Sequence, residues 1–487
     1  MLKIIFPPIL ASTLLLGVAL PASAQDSQTA IERVRNTYNV DRLEKAKTIR
    51  LQHDYNRLYD SHDFEPDFHQ YSFRRHLYVI DLPNQRGSTE FLTRISNSNY
   101  HGRSFLKDGT LFDMDYPHGL YRDNGEADFM EQYGIVFRES DTLLAILLSR
   151  SIETARYQGE RMWLGQMHDL VEIDLPSSPP LRIFVCRKDG AITKMERDVS
   201  EDLTVYYTYR RHKKQDGSFI AQEASVYAEG DRIYFSYNRN IDINNRRDPK
   251  VFEIDKGILE EPTRVDQSEL SVESLNQNPD SMAPLVYHVG QGESYTTFMQ
   301  TGDSITGFGG KAGFADRLKA YRDETGISTP LGYVVIPSHH AEEIAGGSEA
   351  AAEGATLLTT EFGLSTLAEV VDEDTKIEVI ETEKDIDGLK IFAASTDLSS
   401  QILAGFFAPQ KAALQSSHYA SPYVDSGFYA KYTGVTLYNS FSDEIKNSAS
   451  VLISTESKKP EAWSDFAEAV ENHNPVPCQR NHPICRD

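Results

Sequence analysis

The sequence predicts two folded regions of different class: a mainly antiparallel β domain with a few helices, then an α/β sandwich. Three observations lead to this division. Residues 25–255 contain many short alternating runs separated by tight-turn dipeptides. Residues 256–283 have no hydrophobic period and are rich in Glu, Ser, Asn and Pro, which predicts a linker. Residues 284–475 alternate short strands with Ala- and Gly-rich helical segments.

Composition limits the possible partners. The chain has 487 residues, and 49 Lys and Arg against 73 Asp and Glu give a net charge of −24. A chain of that length is too long for a single hydrophobic core of ordinary size, which predicts more than one domain. An acidic surface repels phosphate groups, so nucleic-acid binding and electrostatic docking on anionic lipid are disfavoured. No later stretch is apolar and long enough to predict a transmembrane segment. The remaining partners are a small molecule, a lipid or another protein.

The N-terminus reads as an export signal. Lys3 supplies a positive start, an apolar stretch covers residues 10–20, and Ala22-Ser23-Ala24 matches a signal-peptidase site. We therefore expect residues 1–24 to be a signal peptide cleaved after Ala24, which predicts a periplasmic or secreted bacterial protein. An uncleaved N-terminal anchor is the alternative.

Cysteine usage agrees with export. Cys478 and Cys485 lie in a tail, residues 476–487, that has no core pattern. In an oxidising compartment such a pair predicts a disulfide closing a small loop. A zinc site that adds His473 and His482 is the alternative.

The β domain is predicted to begin with a helix over Ala30–Lys47 and to contain a second, buried helix at Leu143–Leu148, since that run is apolar on all sides. Cys186 ends a strand-like run and reads as a buried free thiol. Tyr-rich strands joined by Asp-Gly and Glu-Gly turns predict an antiparallel meander. Their aromatic side chains could line a groove for a lipid or peptide, or simply pack the sheet.

The elements of the second region follow in order. The predicted strands and helices are a strand at Leu285–Val289, a helix over Phe314–Tyr321 ended by Gly326, a strand at Tyr333–Ile336, a helical run at Ala350–Ala352, a hairpin of Ile377–Glu381 with Leu389–Phe392 around Asp387-Gly388, and a hairpin of Ile402–Phe407 with Lys411–Leu414 around Pro409-Gln410. The stretch Gly307–Ala312 satisfies a loose G-x-G-x-x-A pattern. We interpret its glycines as turn and packing residues, because the next strand lacks the acidic residue of a dinucleotide site.

This order of elements, above all from Val286 to Thr359, resembles the metallo-β-lactamase superfamily over about 190 residues. The resemblance implies an αββα sandwich for residues 284–475. The preceding β-rich region resembles, more weakly, the half-barrel domains of the lipoprotein-carrier class that precede this fold in some exported bacterial hydrolase-like proteins.

The family signature is H-x-H-x-D-H, whose side chains hold two zinc ions that lower the pKa of a bridging water. The matching stretch is Ser338–Glu343. Ser338 replaces the first His, His340 matches the second, Glu342 takes the Asp position and Glu343 takes the last His position.

The remaining ligand positions of the family fall near Ala394–Thr396, Ser417-His418 and Ser454–Glu456, so one ligand in six is kept in place. The usual binuclear site cannot be assembled from these residues, and no cofactor is favoured. The sequence therefore predicts a catalytically degenerate, exported two-domain protein that binds or interacts without catalysis.

Two alternatives concern the same stretch. A rearranged mononuclear zinc or manganese site would make the protein a metal-dependent hydrolase centred on His340. Its predicted ligands are His339, His340, Glu342, Glu343 and His418. In the other alternative, His339 and His340 face solvent, and the two glutamates only favour the N-terminus of the next helix through its dipole.

Overall fold

The computed structural model is mostly β-sheet with fewer helical residues, and it divides into two compact units. The first comprises Met1–Lys47, Gln132–Arg232 and Arg239–Ile243, and the second comprises Thr48–Glu131, Ile233–Asn238 and Asn244–Asp487. The structure describes residues 22–59, 65–66, 70–95, 98–116, 119–175, 178–200, 203–245, 248–260, 267–276, 285–396, 399–416 and 432–472.

Some sequence predictions lie outside these described residues. They are the signal peptide apart from Ala22–Ala24, the tail with Cys478 and Cys485, and His418. Within the described ranges, no helix is both long and apolar enough to cross a membrane.

The N-terminal half alternates helices with long strands. The helices are α1 (Ala22–Tyr38), α2 (Val40–Glu44), α3 (Phe129–Glu139) and α4 (Asp141–Arg150). The strands are β1 (Ile49–Tyr59), β2 (Gln70–Asp81), β3 (Arg86–Ile95), β4 (Ser98–Lys107), β5 (Thr110–Asp115), β6 (Leu120–Glu126), β7 (Arg156–Trp163), β8 (Gln166–Leu175), β9 (Ser178–Cys186), β10 (Ile192–Asp198), β11 (Thr204–Gln215), β12 (Ser218–Ala228), β13 (Asp231–Ile243) and β14 (Leu259–Glu260), with a 3-10 turn at Asp248–Phe252 before β14.

Strand pairing follows chain order in both units. In the second unit β1 to β6 pair antiparallel in succession, and β14 runs parallel to β6. In the first unit β7 to β12 pair antiparallel in succession. Two-residue turns such as Asp108-Gly109 and Asp216-Gly217 set this order, because their positive φ angles suit the twist of a hairpin. The predicted meander is confirmed.

The helix predictions for this half are partly confirmed. In α4 every residue from Asp141 to Ser149 is buried, and the Ser140 side chain accepts a hydrogen bond from Leu143 N at the helix start. The first helix ends at Tyr38, earlier than predicted, because Asn39 adopts a left-handed conformation (φ 54°) before the short α2. Cys186 is a buried free thiol, as predicted.

The C-terminal half contains two further sheets. Its strands are β15 (Ser271–Ser274), β16 (Val286–Gln291), β17 (Ser294–Thr301), β18 (Ser304–Phe308), β19 (Leu331–Val335), β20 (Thr356–Thr359), β21 (Ile377–Val379), β22 (Glu383–Ile386), β23 (Leu389–Ala394), β24 (Ile402–Phe407), β25 (Ala412–Gln415), β26 (Val451–Ser454) and β27 (Glu461–Ala462). Its helices are α5 (Phe314–Thr325), α6 (Ala341–Ile344), α7 (Gly347–Ala352), α8 (Glu361–Leu367), α9 (Tyr432–Ser440), α10 (Asp443–Ser448) and α11 (Trp463–Glu471), with a 3-10 turn at Ala408–Gln410.

Both sheets are mixed. The first has the order β15-β16-β17-β18-β19-β20-β21, antiparallel up to β18 and parallel from there on. The second has the order β22-β23-β24-β25-β26-β27, in which only β25 and β26 run parallel. Parallel neighbours require crossover connections, and α5 supplies the one between β18 and β19.

Three hydrophobic clusters hold these layers. One joins side chains from both sheets, including Phe308 and Leu414. A second joins the seven-stranded sheet to α5, α7 and α8, and a third joins the six-stranded sheet to α9, α10 and α11. Adjacent residues such as Val334 and Val335 belong to different clusters, because side chains alternate across a strand. The central strands are therefore buried on both faces.

Two predicted details need correction. Ile377–Val379 does not form the predicted hairpin: it pairs parallel with β20, and the strand that meets β23 across Asp387-Gly388 is β22. The alternating pattern identified a strand but could not tell which sheet it joins. In the stretch predicted as a linker, Ser271–Ser274 forms β15 against β16. Helix α5 ends at Gly326 (φ 68°), as predicted.

Candidate functional site

The loop after β19 carries the residues that match the family signature. Ser338, His339 and His340 are all buried there. Leu403 N donates a 2.7 Å hydrogen bond to Pro337 O, which fixes the loop to β24. His340 N donates to Ser338 Oγ at 3.3 Å, and His340 then precedes the four-residue helix α6. The loop is thus held by backbone contacts on both sides.

The two histidine rings contact each other. Their centroids lie 4.6 Å apart with a 58° interplanar angle, and the His339 ring also meets Phe362 edge-on at 5.7 Å. The side chains are 5% and 4% exposed, so the alternative in which His339 and His340 face solvent is wrong. Burial follows from the position of the loop between the end of β19 and β24.

Glu343 faces a lysine. Its carboxylate is fully buried, and Oε1 lies 3.5 Å from Lys311 Nζ and accepts a 3.3 Å hydrogen bond from Thr455 Oγ1. Lys311 is 4% exposed, donates to Glu293 O at 2.9 Å, and lies 3.5 Å from Glu456 Oε1. A buried ammonium group therefore lies between two carboxylates. We call Lys311, Glu343, Glu456 and Thr455 the lysine cluster.

Glycines allow the backbone to place Lys311. Gly310 O accepts a 2.6 Å hydrogen bond from Gly346 N, and a Cβ atom on Gly310 would lie 2.2 Å from Ile336 Cδ1. Gly309 has φ 107°, and a Cβ atom there would lie 2.8 Å from Thr455 Cγ2. The interpretation of these glycines as turn and packing residues is confirmed.

A second buried cation lies next to the cluster. Arg317, on α5, is 3% exposed and donates to Lys311 O at 2.6 Å, to Ala312 O at 2.7 Å and to Thr296 Oγ1 at 3.0 Å. Burial lowers the pKa of Arg317 to about 10, which leaves it charged at neutral pH. Negative charge on Glu343 is thus balanced by protein cations.

Sequence reasoning missed both cations. The helical spacing of Phe314, Arg317, Leu318 and Tyr321 puts all four on one face, and all four are buried. That spacing could have indicated that Arg317 points inward. Lys311 stands alone among glycines and small residues, and no periodic pattern marks it as buried.

His288 is a fully buried histidine on β16. Its Nε2 lies 2.7 Å from Ser457 O and its Nδ1 lies 3.0 Å from Thr297 Oγ1, while the ring stacks on Tyr295 at 4.8 Å. Because a carbonyl oxygen can only accept, Nε2 carries the proton and Nδ1 accepts from the hydroxyl. Burial lowers the pKa of His288 to about 4, so the ring is neutral at physiological pH.

The structure brings only part of the predicted ligand set together. His339 and His340 are neighbours, Glu343 contacts Lys311, Glu342 is half-buried, and His418 lies outside the described residues. Across the part of the chain that the structure describes, no three His, Cys, Asp or Glu side chains lie close enough to hold a metal ion. Metal binding by the five predicted ligands therefore stays a prediction.

A second cluster of histidines and tyrosines lies on β1, β2 and β13. Tyr55 OH lies 3.1 Å from His76 Nε2, Tyr78 OH lies 2.6 Å from His76 Nδ1, and Tyr234 OH lies 3.2 Å from His53 Nε2. Burial lowers the pKa of His76 to about 3. These side chains satisfy one another inside the sheet.

No protein-family model matches the chain, and no curated protein is similar to it in sequence. Solved structures similar to the chain include a DUF1329 family protein from Desulfovibrio piger, with 11% identity over 47% of this chain and 97% of that chain and a TM-score of 0.32. A metallo-β-lactamase from Hirschia baltica has 13% identity over 41% and 96%, with a TM-score of 0.30. A LolA superfamily protein from Nitrosomonas europaea has 9% identity over 48% and 99%, with a TM-score of 0.30. Each similarity covers less than half of this chain.

Proposed function

We propose that residues 284–475 form an αββα sandwich of the metallo-β-lactamase type in which the lysine cluster replaces the metal centre. The protein then acts as an exported binding or interaction protein and not as a hydrolase. The observation that carries this proposal is the contact of Lys311 Nζ with Glu343 Oε1, since Glu343 stands at a metal-ligand position of the family signature.

Charge supports this proposal. Zinc ligands must be anionic or neutral, and a structural or catalytic zinc uses three or four of them. Ser338, Thr396 and Thr455 stand at or next to other ligand positions and offer hydroxyl groups, and the carboxylate of Glu456, in the last of these stretches, lies 3.5 Å from Lys311 Nζ. Lys311 Nζ already lies 3.5 Å from Glu343 Oε1, so a metal ion would have to displace this ammonium group before it could use that carboxylate. The residues present do not fit a zinc centre.

A groove beside α5 supports a binding role. Its volume is about 840 Å³, and its lining combines Leu270 and Ala320 with the charged residues Asp316, Arg317 and Lys319. A groove of this size and mixed lining is in the range that holds a small molecule or a short peptide segment. The proposed ligand is therefore of one of these two kinds.

Metal analysis of the purified chain tests the proposal. We expect less than stoichiometric zinc and manganese after purification without chelator, and no uptake on dialysis against either ion. Tight, stoichiometric zinc in the wild-type protein contradicts the proposal.

A metal-dependent hydrolase around His340 is the second candidate. The contact between the buried rings of His339 and His340 favours it, because two adjacent imidazoles supply two nitrogen ligands. This candidate predicts that His340→Ala abolishes both metal content and hydrolysis of ester or lactam substrates. Phe362→Leu, which changes a neighbour of His339 without removing a ligand, is the control. Unchanged metal content in His340→Ala rules this candidate out.

A lipophilic-ligand carrier is the third candidate, based on the Tyr-rich N-terminal sheet. Native mass spectrometry of the full chain tests it, because a carried lipid remains bound in the gas phase. Absence of any bound lipid counts against this candidate. Export itself is tested by N-terminal sequencing of the protein from a periplasmic fraction, where we expect the chain to begin at Gln25.

A further inference from the structure

The hairpin that joins β7 to β8 has an unusual turn. Trp163 pairs with Gln166, so the turn consists of Leu164 and Gly165 alone. Leu164 has φ 48° and Gly165 has φ 75°. A leucine in the left-handed conformation is unfavourable, because its Cβ atom crowds the backbone.

Three other two-residue turns of the chain reduce this cost, whereas a fourth, Glu229-Gly230, has a glutamate at φ 53°. Asp108, Asp216 and Asp387 occupy the same position with φ of 53°, 46° and 50°, and each is followed by glycine. Aspartate and asparagine tolerate the left-handed conformation better than leucine does. Strain of this kind persists where a function requires the side chain, which directs attention to Leu164.

Leu164 is also the centre of an exposed apolar surface. Met162 is 64% exposed, Leu164 is 62% exposed and Met167 is 37% exposed. We call these three residues the apolar tip. They lie within six positions of one another, at the end of a hairpin on the outermost strand of the sheet. Clustered exposed apolar side chains mark an interaction site more often than scattered ones do.

Cation–π contacts lie at the base of the tip. Lys194 Nζ lies 4.2 Å from the centre of the Trp163 ring, 4.8 Å from that of Tyr206 and 5.1 Å from that of Phe184. Cation–π contacts of this length hold the tryptophan against the sheet. The apolar tip therefore lies next to a tryptophan ring that Lys194 holds against the sheet.

Free cations flank the tip. Arg187 N donates to Met167 O, so the next turn along the chain lies beside the hairpin. Arg187 forms an ion pair with Glu160. Arg161 and Lys188 have no carboxylate partner in the described ranges of the chain. Arg161, Arg187 and Lys188 against the neighbouring Glu160 and Asp189 leave a small positive excess beside the apolar tip, in a chain that is acidic overall.

We infer that the apolar tip inserts into the interface of a phospholipid membrane, with Arg161 and Lys188 near the headgroup phosphates. One side chain on the turn and two on the adjoining strand ends are too small for a stable protein interface, which covers about 800 Å² on each partner. They suffice for shallow insertion, which depends on apolar burial plus attraction to anionic lipid. The overall charge of −24 opposes electrostatic adsorption of the whole surface, so a localised tip is the form of contact that this chain allows. This inference is independent of the lysine cluster.

Flotation of the full chain with vesicles tests the inference. We expect binding to vesicles of phosphatidylcholine with phosphatidylglycerol, weaker binding to phosphatidylcholine alone, and quenching of Trp163 emission by brominated lipid. The buried Trp463 serves as the unquenched reference. Leu164→Asn should reduce vesicle binding at least about tenfold, since it removes one buried leucine. Its unfolding midpoint should stay equal or rise, because asparagine suits the left-handed turn.

Leu259→Asn is the matched control, because Leu259 is 68% exposed and lies on β14, outside the hairpin. It should bind vesicles like the wild type. Equal binding by Leu164→Asn and the wild type overturns the inference, as does absence of binding to both kinds of vesicle. Self-association that Leu164→Asn abolishes, without vesicle binding, also overturns it and identifies a second copy as the occupant.

Discussion

The ammonium group of Lys311 lies 3.5 Å from Glu343 Oε1 where both side chains are buried. A buried ion pair contributes little net stability compared with apolar residues, but the loss of one partner leaves a buried, uncompensated charge. The pair therefore constrains the sequence at two positions that are 32 residues apart (343 − 311).

Lys311→Met should destabilise the protein by about 3–5 kcal/mol in urea unfolding at neutral pH, because Glu343 is then buried without its ammonium partner. The double variant Lys311→Met with Glu343→Gln should recover more than half of this loss. Lys319→Met is the control: its side chain is 73% exposed and its pair with Asp323 is screened by water, so the variant should unfold close to the wild-type midpoint. Equal losses in the single and double variants would contradict the predicted coupling.

Stability should depend on pH through His288. Its pKa is about 4 in the folded protein and 6.5 as the ordinary value, so between these values the unfolded chain binds more protons. Stability is therefore full above pH 6.5 and falls as pH is lowered toward 4, by about 3 kcal/mol for this group alone. Urea midpoints between pH 4.5 and 7 should show this slope.

His288→Asn should flatten that slope while lowering stability at pH 7. Tyr295→Phe, which alters the stacked neighbour but adds no titrating group near neutral pH, should keep the wild-type slope. An unchanged slope in His288→Asn would show that other groups cause the acid sensitivity. His76, with a pKa of about 3, is the first of these to examine.

Gly310→Ala should destabilise the protein by about 1–3 kcal/mol, since its Cβ atom would lie 2.2 Å from Ile336 Cδ1 and 2.9 Å from Glu343 O. Adding Ile336→Val removes the Cδ1 atom and should restore part of the loss. Gly354→Ala is the comparison, because no atom lies within 4 Å of its Cβ position and only the φ of 89° opposes it. Thermal unfolding of the wild type, Gly310→Ala, Ile336→Val and the double variant checks the predicted non-additivity.

Asp141→Asn should cost about 2–4 kcal/mol. The buried Asp141 carboxylate accepts from Tyr38 OH at 3.0 Å and from Ala221 N at 3.0 and 3.1 Å, and it lies 3.3 Å from His212 Nε2. An amide can accept at only one of its two terminal atoms, so part of this network is lost. The surface carboxylate variant Asp41→Asn should change stability by less than about 0.5 kcal/mol. Similar midpoints for the two variants would contradict the assigned role.

Periodic patterns predicted much of the fold. The all-round apolar run at Leu143–Leu148 gave a buried helix, and Gly326 gave the end of α5. Asp387-Gly388 gave a turn, but its first strand was assigned to Ile377–Glu381 instead of β22, because period-2 patterns do not encode which sheet a strand joins.

The sequence predicted where the candidate site lies along the chain, but it did not predict which side chains contact each other there. The signature-like stretch located His339 and His340, yet the partner of Glu343 comes from Lys311, which belongs to another loop. Such a contact depends on tertiary packing and leaves no local period. The burial of Arg317 could have been predicted from its helical spacing, whereas no pattern in the sequence predicted the burial of Lys311.

Strand β15 has a practical consequence for anyone who divides this chain. It pairs with β16 over Ser271–Ser274, and Gln267 receives a hydrogen bond from Lys458 N. A fragment that starts at residue 284 would expose the backbone edge of β16 and invite intermolecular strand addition. A fragment of the C-terminal half should therefore begin before Gln267. It then keeps β15, which covers the edge of β16 and protects the sheet from aggregation.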